Sequence, residues 1–247
     1  MNRYRRVVLL ALAWCAAIAG SSPIAAAVLD CSRIMPLGDS ITLGVNGGYR
    51  NRLYTRLAGL ACNVGFVGSL SDQYTLAADK DHEGHSGFSI GDIARDANPW
   101  LVAQAPDIVL LMIGTNDVAW WSVRTADEVA ADHAGLIDQI RSARPNAWIV
   151  VGSIAPLASA DLPPLGRDRA EFGREFNAAV RVRIDARIRA GEKVRYADIY
   201  ARLSITDLYD GVHPTQLAHD KVADAWYATL EGILTTGGDR IYAGNFQ

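Results

Sequence analysis

After Asp107 the chain reads Ile-Val-Leu-Leu-Met-Ile, an unbroken apolar run ending at Ile113. A strand with one wet face alternates polar and apolar side chains. A run without that alternation marks a strand buried on both faces, as in parallel sheets flanked by helices. This constrains the chain to an α/β architecture. Apolar stretches at residues 32–37, 64–67, 147–154 and 194–199 supply the other expected strands.

Between them the apolar period changes to that of helices. Tyr49, Leu53, Leu57 and Leu60 make one stripe; Phe172, Phe176, Val180, Ile184 and Ile188 make another. Thr125-Ala-Asp-Glu128 is a capping box, in which Thr and Glu satisfy the free amides of a helix start. It opens a helix carrying Val129, His133, Leu136, Ile137 and Ile140 on one face, with His133 as a packing residue. A shorter helix is expected over residues 90–97, interrupted near Pro99, and a last one over residues 215–234. Residues 72–91, rich in Asp, His, Gly and Ser, read as loop. Residues 157–166, with Pro163-Pro164, read as a loop bordering the site. Alternating strands and helices predict a three-layer α/β/α sandwich on a mostly parallel five-stranded sheet.

Arg3, Arg5 and Arg6 precede an apolar stretch at residues 7–20, and Ala25-Ala26-Ala27 offers a small-residue cleavage site. This is the layout of a signal peptide over residues 1–27, implying a secreted or periplasmic protein. The apolar stretch is too short to span a bilayer comfortably, and no second one reaches spanning length. The remainder, residues 28–247, is expected to be a single domain, with 235–247 as a flexible tail. The formal charge of −3 becomes −6 when the three arginines leave, so nothing marks a nucleic-acid or anionic-membrane partner. Cys31 and Cys62 flank the first two strands and are a candidate disulfide, which export permits.

Four polar clusters follow expected strands: Gly38-Asp39-Ser40, His82-Glu-Gly-His-Ser-Gly87, Gly114-Thr-Asn116-Asp117 and Asp210-Gly-Val-His213. In a parallel sheet the loops after the strands emerge at one edge, where ligands bind. Ser40 is the candidate nucleophile. A serine hydroxyl is weak until a base accepts its proton, and His213 is the base available. Asp210 is placed to orient the imidazole and stabilise its cation. The amides of Ser40 and Gly87 and the side chain of Asn116 are candidate oxyanion donors. Asp39 is read as holding the turn. Trp120 and Trp121 follow the asparagine cluster and suit either ring stacking on a substrate or burial. His82 and His85, spaced i, i+3, lack the helical i, i+4 zinc pattern, and no metal or cofactor is expected.

These four ordered clusters resemble the nucleophile, glycine, asparagine and Asp-x-x-His blocks of the SGNH, or GDSL-type, hydrolase superfamily. The resemblance covers residues 34 to about 230. It implies a flavodoxin-like sandwich and metal-independent ester hydrolysis. Ser40 would be the nucleophile, His213 the base, Asp210 its orienting acid, and Ser40, Gly87 and Asn116 the oxyanion hole. Met35-Pro-Leu-Gly-Asp-Ser-Ile-Thr42, Gly48-Tyr-Arg50 and His82-Glu-Gly-His-Ser-Gly87 resemble carbohydrate esterase family 3, whose members include acetylxylan esterases. One departure is Leu217-Ala218-His219, where such sequences carry Gly-Tyr. The resemblance therefore implies a secreted serine esterase that deacetylates carbohydrate. Lipase, lysophospholipase or thioesterase action is the alternative within the fold, and a non-catalytic carbohydrate-binding protein the alternative outside it.

Overall fold

A computed structural model describes residues 33–59, 64–72, 79–120 and 123–235. The first half runs β1 (Arg33–Gly38), α1 (Ser40–Leu43), α2 (Gly48–Leu57), β2 (Gly65–Phe66), β3 (Leu70–Ser71), β4 (Asp81–Gly84), α3 (Ile90–Gln104), β5 (Ile108–Met112) and α4 (Thr115–Ala119). It continues through α5 (Ala126–Ala143), β6 (Trp148–Gly152), β7 (Asp161–Leu162), β8 (Arg167–Asp168), α6 (Arg169–Arg189), β9 (Val194–Ala197) and α7 (Gln216–Thr235).

The apolar run after Asp107 is β5, and it explains the layering. Its side chains alternate between two cores. Val109 and Leu111 join Met35, Leu37, Ile149 and Val151 beneath Ile93, Leu101, Leu136, Ile140, Phe172 and Phe176 of α3, α5 and α6. Ile108, Leu110 and Met112 face the other way, joining Ile34 and Val150 beneath Leu53, Leu57, Val222, Trp226 and Leu230 of α2 and α7. Each fully buried aliphatic side chain contributes roughly 1.5–3 kcal/mol. The chain is thus a sandwich of helices on both faces of one sheet.

The sheet order is β3-β4-β1-β5-β6-β9, parallel except for the β3–β4 pair. The expected second strand is β2, and it shares its place in the sheet with a second strand, β4. β2 pairs with the start of β1 (Arg33 opposite Gly65), and β4 pairs with its end (Leu37 opposite Glu83). Together they fill one position, leaving five parallel positions and an added antiparallel edge strand. β4 lies inside the stretch expected to be loop. Its residues, Asp-His-Glu-Gly, carry no apolar signal because hydrogen bonds rather than greasy packing satisfy their buried side chains.

Pro99 does not interrupt its helix; α3 runs straight through it. The proline removes one helical hydrogen bond and costs about 3 kcal/mol. Ile90, Ile93, Ala97 and Leu101 bury a stripe that continues across it and outweighs that loss. Gln139 of α5 donates to the Ala94 carbonyl at 2.7 Å and to Asn98 at 3.0 Å, tying the two helices at this point. The other expected helices and strands lie close to their expected bounds; β3, the short α1 and α4, and the β7–β8 pair, whose first strand lies in the stretch read as loop at residues 157–166, were not expected. The signal-peptide segment, Cys31, Cys62, Trp121 and the tail beyond Thr235 lie outside the described residues.

Candidate active site

β1 ends on Gly38, where a side chain has no room. A Cβ there would lie 2.2 Å from the Met112 carbonyl oxygen and 2.5 Å from Thr42 Oγ1. The chain then turns into α1, capped by Asp39, whose Oδ1 accepts the Ile41 amide at 2.9 Å. Asp39 is fully buried, and burial raises its pKa to about 6 against the opposing hydrogen bonds. It holds the turn, as the sequence suggested, and Ser40 projects from the first position of the helix.

Ser40 Oγ lies 2.9 Å from His213 Nε2. On the far side of the ring, His213 Nδ1 lies 2.7 Å from Asp210 Oδ2. The other carboxylate oxygen, Oδ1, accepts the amides of His213 at 2.7 Å and Val212 at 2.9 Å. Burial pushes the Asp210 pKa up, but these hydrogen bonds outweigh it and hold the group below its ordinary value. The loop is closed by the Tyr209 amide on the His213 carbonyl and the Thr215 amide on the Asp207 carbonyl. Ala158 donates to the Gly211 carbonyl at 2.8 Å, so the loop after β6 borders this one as expected.

Gly87 sits in a tight turn at φ +81°, with nothing within 4 Å of where a side chain would start. Only glycine holds that conformation without strain, and its absent Cβ faces open space. Asn116 lies on α4. Its Nδ2 donates to the Phe88 carbonyl at 2.9 Å, and its Oδ1 accepts the Trp120 indole N–H at 3.2 Å. These two bonds fix which way the amide points and leave one N–H unused. Asp117 accepts the Ile90 amide at 3.0 Å, joining α4 to the start of α3. Burial raises its pKa to about 6.

Sequence reasoning placed Ser40, Asp210 and His213, and the structure links them in one hydrogen-bonded line. Gly87 and Asn116 meet through Phe88. Trp120 is exposed rather than buried. His82 turns inward, its Nδ1 accepting the Gly84 amide, and burial lowers its pKa to about 4. His85 instead meets Glu83 at 2.7 Å. Among the described residues no three His, Cys, Asp or Glu side chains gather as a metal site. His219, at the departure noted above, is buried against Gly48 with its Nδ1 unpartnered. Two features escaped the sequence. Tyr209, exposed and adjacent to Asp210, stacks on the His213 ring at 5.8 Å and 18°. Glu83 is a fully buried carboxylate. The position of Tyr209 beside the Asp-x-x-His cluster was the available signal for the first; nothing pointed to the second.

A hydroxyl bonded to an imidazole, itself bonded to a carboxylate, can attack an acyl carbon and pass its proton to the ring. Comparison with known proteins points the same way. Residues 37–221 match the GDSL-like lipase/acylhydrolase family. A multidomain esterase of Ruminococcus flavefaciens is 29% identical over 241 residues, 87% of this chain; the chain spans only 30% of that relative's length. Among solved structures, a family 3 carbohydrate esterase of Clostridium thermocellum is 31% identical with a TM-score of 0.70, covering 84% of this chain and 99% of the other. An acetyl esterase solved with acetate ion is 28% identical with a TM-score of 0.69, covering 83% and 98%.

Proposed function

The chain belongs to the GDSL-like lipase/acylhydrolase family, and from that membership we propose that it is an exported serine esterase removing acetyl groups from carbohydrate. The observation that carries the reading is the line Ser40 Oγ–His213 Nε2–His213 Nδ1–Asp210, with contacts of 2.9 and 2.7 Å.

In the first step Ser40 Oγ bonds to the acyl carbon while His213 takes the hydroxyl proton. The carbonyl oxygen becomes an oxyanion facing the amides of Ser40 and Gly87 and the free N–H of Asn116. Collapse expels the sugar oxygen, which receives the proton from His213, and leaves an acyl-serine. Water then attacks the same carbon, giving its proton to His213, and acetate departs as the Ser40 hydroxyl is restored. Asp210 holds the ring in the tautomer that presents Nε2 to serine and stabilises the imidazolium.

The acetyl and carbohydrate parts of the reading draw on the resemblance to family 3 carbohydrate esterases and to an acetyl esterase. The exposed faces of Trp120 and Tyr209, each tied to a proposed catalytic side chain, suit stacking on sugar rings. Membership of a lipase/acylhydrolase family supports a second reading, longer acyl chains. Rates on acetylated xylan and on p-nitrophenyl esters of increasing chain length separate the two. Turnover of acetylated xylan with a fall in rate beyond short acyl groups is expected. A steep preference for long chains would overturn the acetyl reading. Cleavage after Ala27 in exported protein tests the secretory part.

A further inference from the structure

Gly87 is held in place by none of its own side-chain contacts, yet its amide must point at a developing charge. What fixes it lies on either side. The turn is closed by the Phe88 amide on the His85 carbonyl at 3.2 Å, and it is hung from β1 by the His85 amide on the Gly38 carbonyl at 2.8 Å. The His85 ring is clamped between two others. Trp100 of α3 stacks on it at 4.4 Å and 13°, and Phe88 at 4.7 Å and 19°. The ring's rotation is set by Nε2 facing Glu83 Oε1 at 2.7 Å.

Glu83 is costly where it stands. Its side chain is fully buried in β4, opposite Leu37 of β1. A buried carboxylate is tolerated only when its oxygens are hydrogen-bonded. Here Oε2 accepts the Ser69 amide and Oε1 the Ser69 hydroxyl, both at 2.7 Å, besides the His85 N–H. An apolar side chain would fill this site at less cost, so packing alone does not account for it. Phe88 then reaches across to the other donor, its carbonyl taking the Asn116 amide at 2.9 Å.

We infer that the Trp100–His85–Phe88 stack, anchored by Glu83, is a positioning device for the oxyanion donors, fixing the Gly87 turn directly and Asn116 through the Phe88 carbonyl. The inference rests on the esterase reading, because it presumes that Gly87 and Asn116 meet an oxyanion. These four are positioning residues and touch no substrate. Displacing aligned groups by about an ångström costs on the order of 10²-fold in rate, and the loss falls on the transition state rather than on substrate binding.

The test is steady-state kinetics on p-nitrophenyl acetate for His85→Ala, His85→Phe, Asn116→Ala and the double variant His85→Ala/Asn116→Ala, with Ser40→Ala as reference. His85→Ala is expected to lower kcat about 10- to 100-fold with KM little changed. His85→Phe, which keeps a flat ring in the stack but loses the bond to Glu83, is expected to recover part of it. Asn116→Ala is expected to cost less on the His85→Ala background than alone, because the donor is already displaced. A folded His85→Ala with kcat within about twofold of the parent, or losses that simply add, would overturn the positioning role. Should His85→Ala fail to fold, Trp100→Leu on the outer side of the stack carries the same expectation, a lower kcat at constant KM, and an unchanged kcat there overturns it. Activity surviving in Ser40→Ala would instead overturn the esterase reading, whatever the His85 variants do.

Discussion

Ser40 Oγ and His213 Nε2 stand 2.9 Å apart although 173 positions separate them in the chain. Ser40 follows β1, inside the parallel run, and His213 follows β9, at its end, yet both lie beyond the carboxyl ends of the strands. The contact is therefore a product of sheet topology. Behind it, Asp210 accepts hydrogen bonds from the His213 ring and from two amides, which fix the ring relative to the loop, as the proposed role of orienting a base requires.

Asp210→Asn keeps the shape of that loop and removes the orienting charge. Serine triads that lose their acid this way lose about 10⁴-fold in kcat. A loss of at least about 10³-fold on p-nitrophenyl acetate is expected here, with the folded state intact by circular dichroism. A loss under tenfold would remove Asp210 from its role.

Asn116→Ala deletes one proposed oxyanion donor and is expected to cost about 10²–10³ in kcat. Trp120→Phe removes the indole N–H, which donates to Asn116 Oδ1 and so aims the amide. It is expected to lower kcat several-fold, far less than Asn116→Ala. Equal losses would mean that Trp120 does more than orient.

His133 is buried against Phe176, and burial lowers its pKa to about 4. The unfolded chain takes up a proton near pH 6.5 while the folded chain does not. Its contribution to stability is therefore complete above pH 6.5 and is lost as pH falls toward 4. His133→Phe should flatten the stability profile over that window, by an amount on the order of 3 kcal/mol. Urea unfolding at pH 7 and pH 4.5 measures it; parallel profiles for the two proteins would count against the assignment.

Asp39 works in the opposite sense. Its pKa is raised to about 6, so the folded state favours the neutral acid, and its stabilising effect is lost as pH rises through 6. Asp39→Asn retains a side-chain acceptor for the Ile41 amide and carries no charge. The variant should gain stability relative to the parent at pH 8 and lose that advantage at pH 4. An advantage unchanged across this range would show that Asp39 ionises as an ordinary carboxylate.

The sequence made the layered fold legible because β5 is apolar on both faces and the helices keep a clean apolar stripe. The site was legible for a related reason: the four polar clusters interrupt that pattern only at strand ends. β4 was hidden because Glu83 and His82 satisfy their burial with hydrogen bonds, which leave no periodic trace. α3 was shortened on paper because Pro99 reads as a breaker, and only the buried stripe across it shows why the helix continues. The His85 stack joins two rings from the turn after β4 to one from α3, a contact that no local spacing encodes.

The central claim, that Ser40 attacks the ester, is tested by treating the purified protein with a fluorophosphonate and mapping the adduct by mass spectrometry, with hydrolysis of p-nitrophenyl acetate followed in parallel. The account predicts one labelled site, Ser40, loss of activity in step with labelling, and neither label nor turnover in a folded Ser40→Ala. A Ser40→Ala protein that still hydrolyses the ester at a substantial rate, or an adduct on another residue, would contradict it.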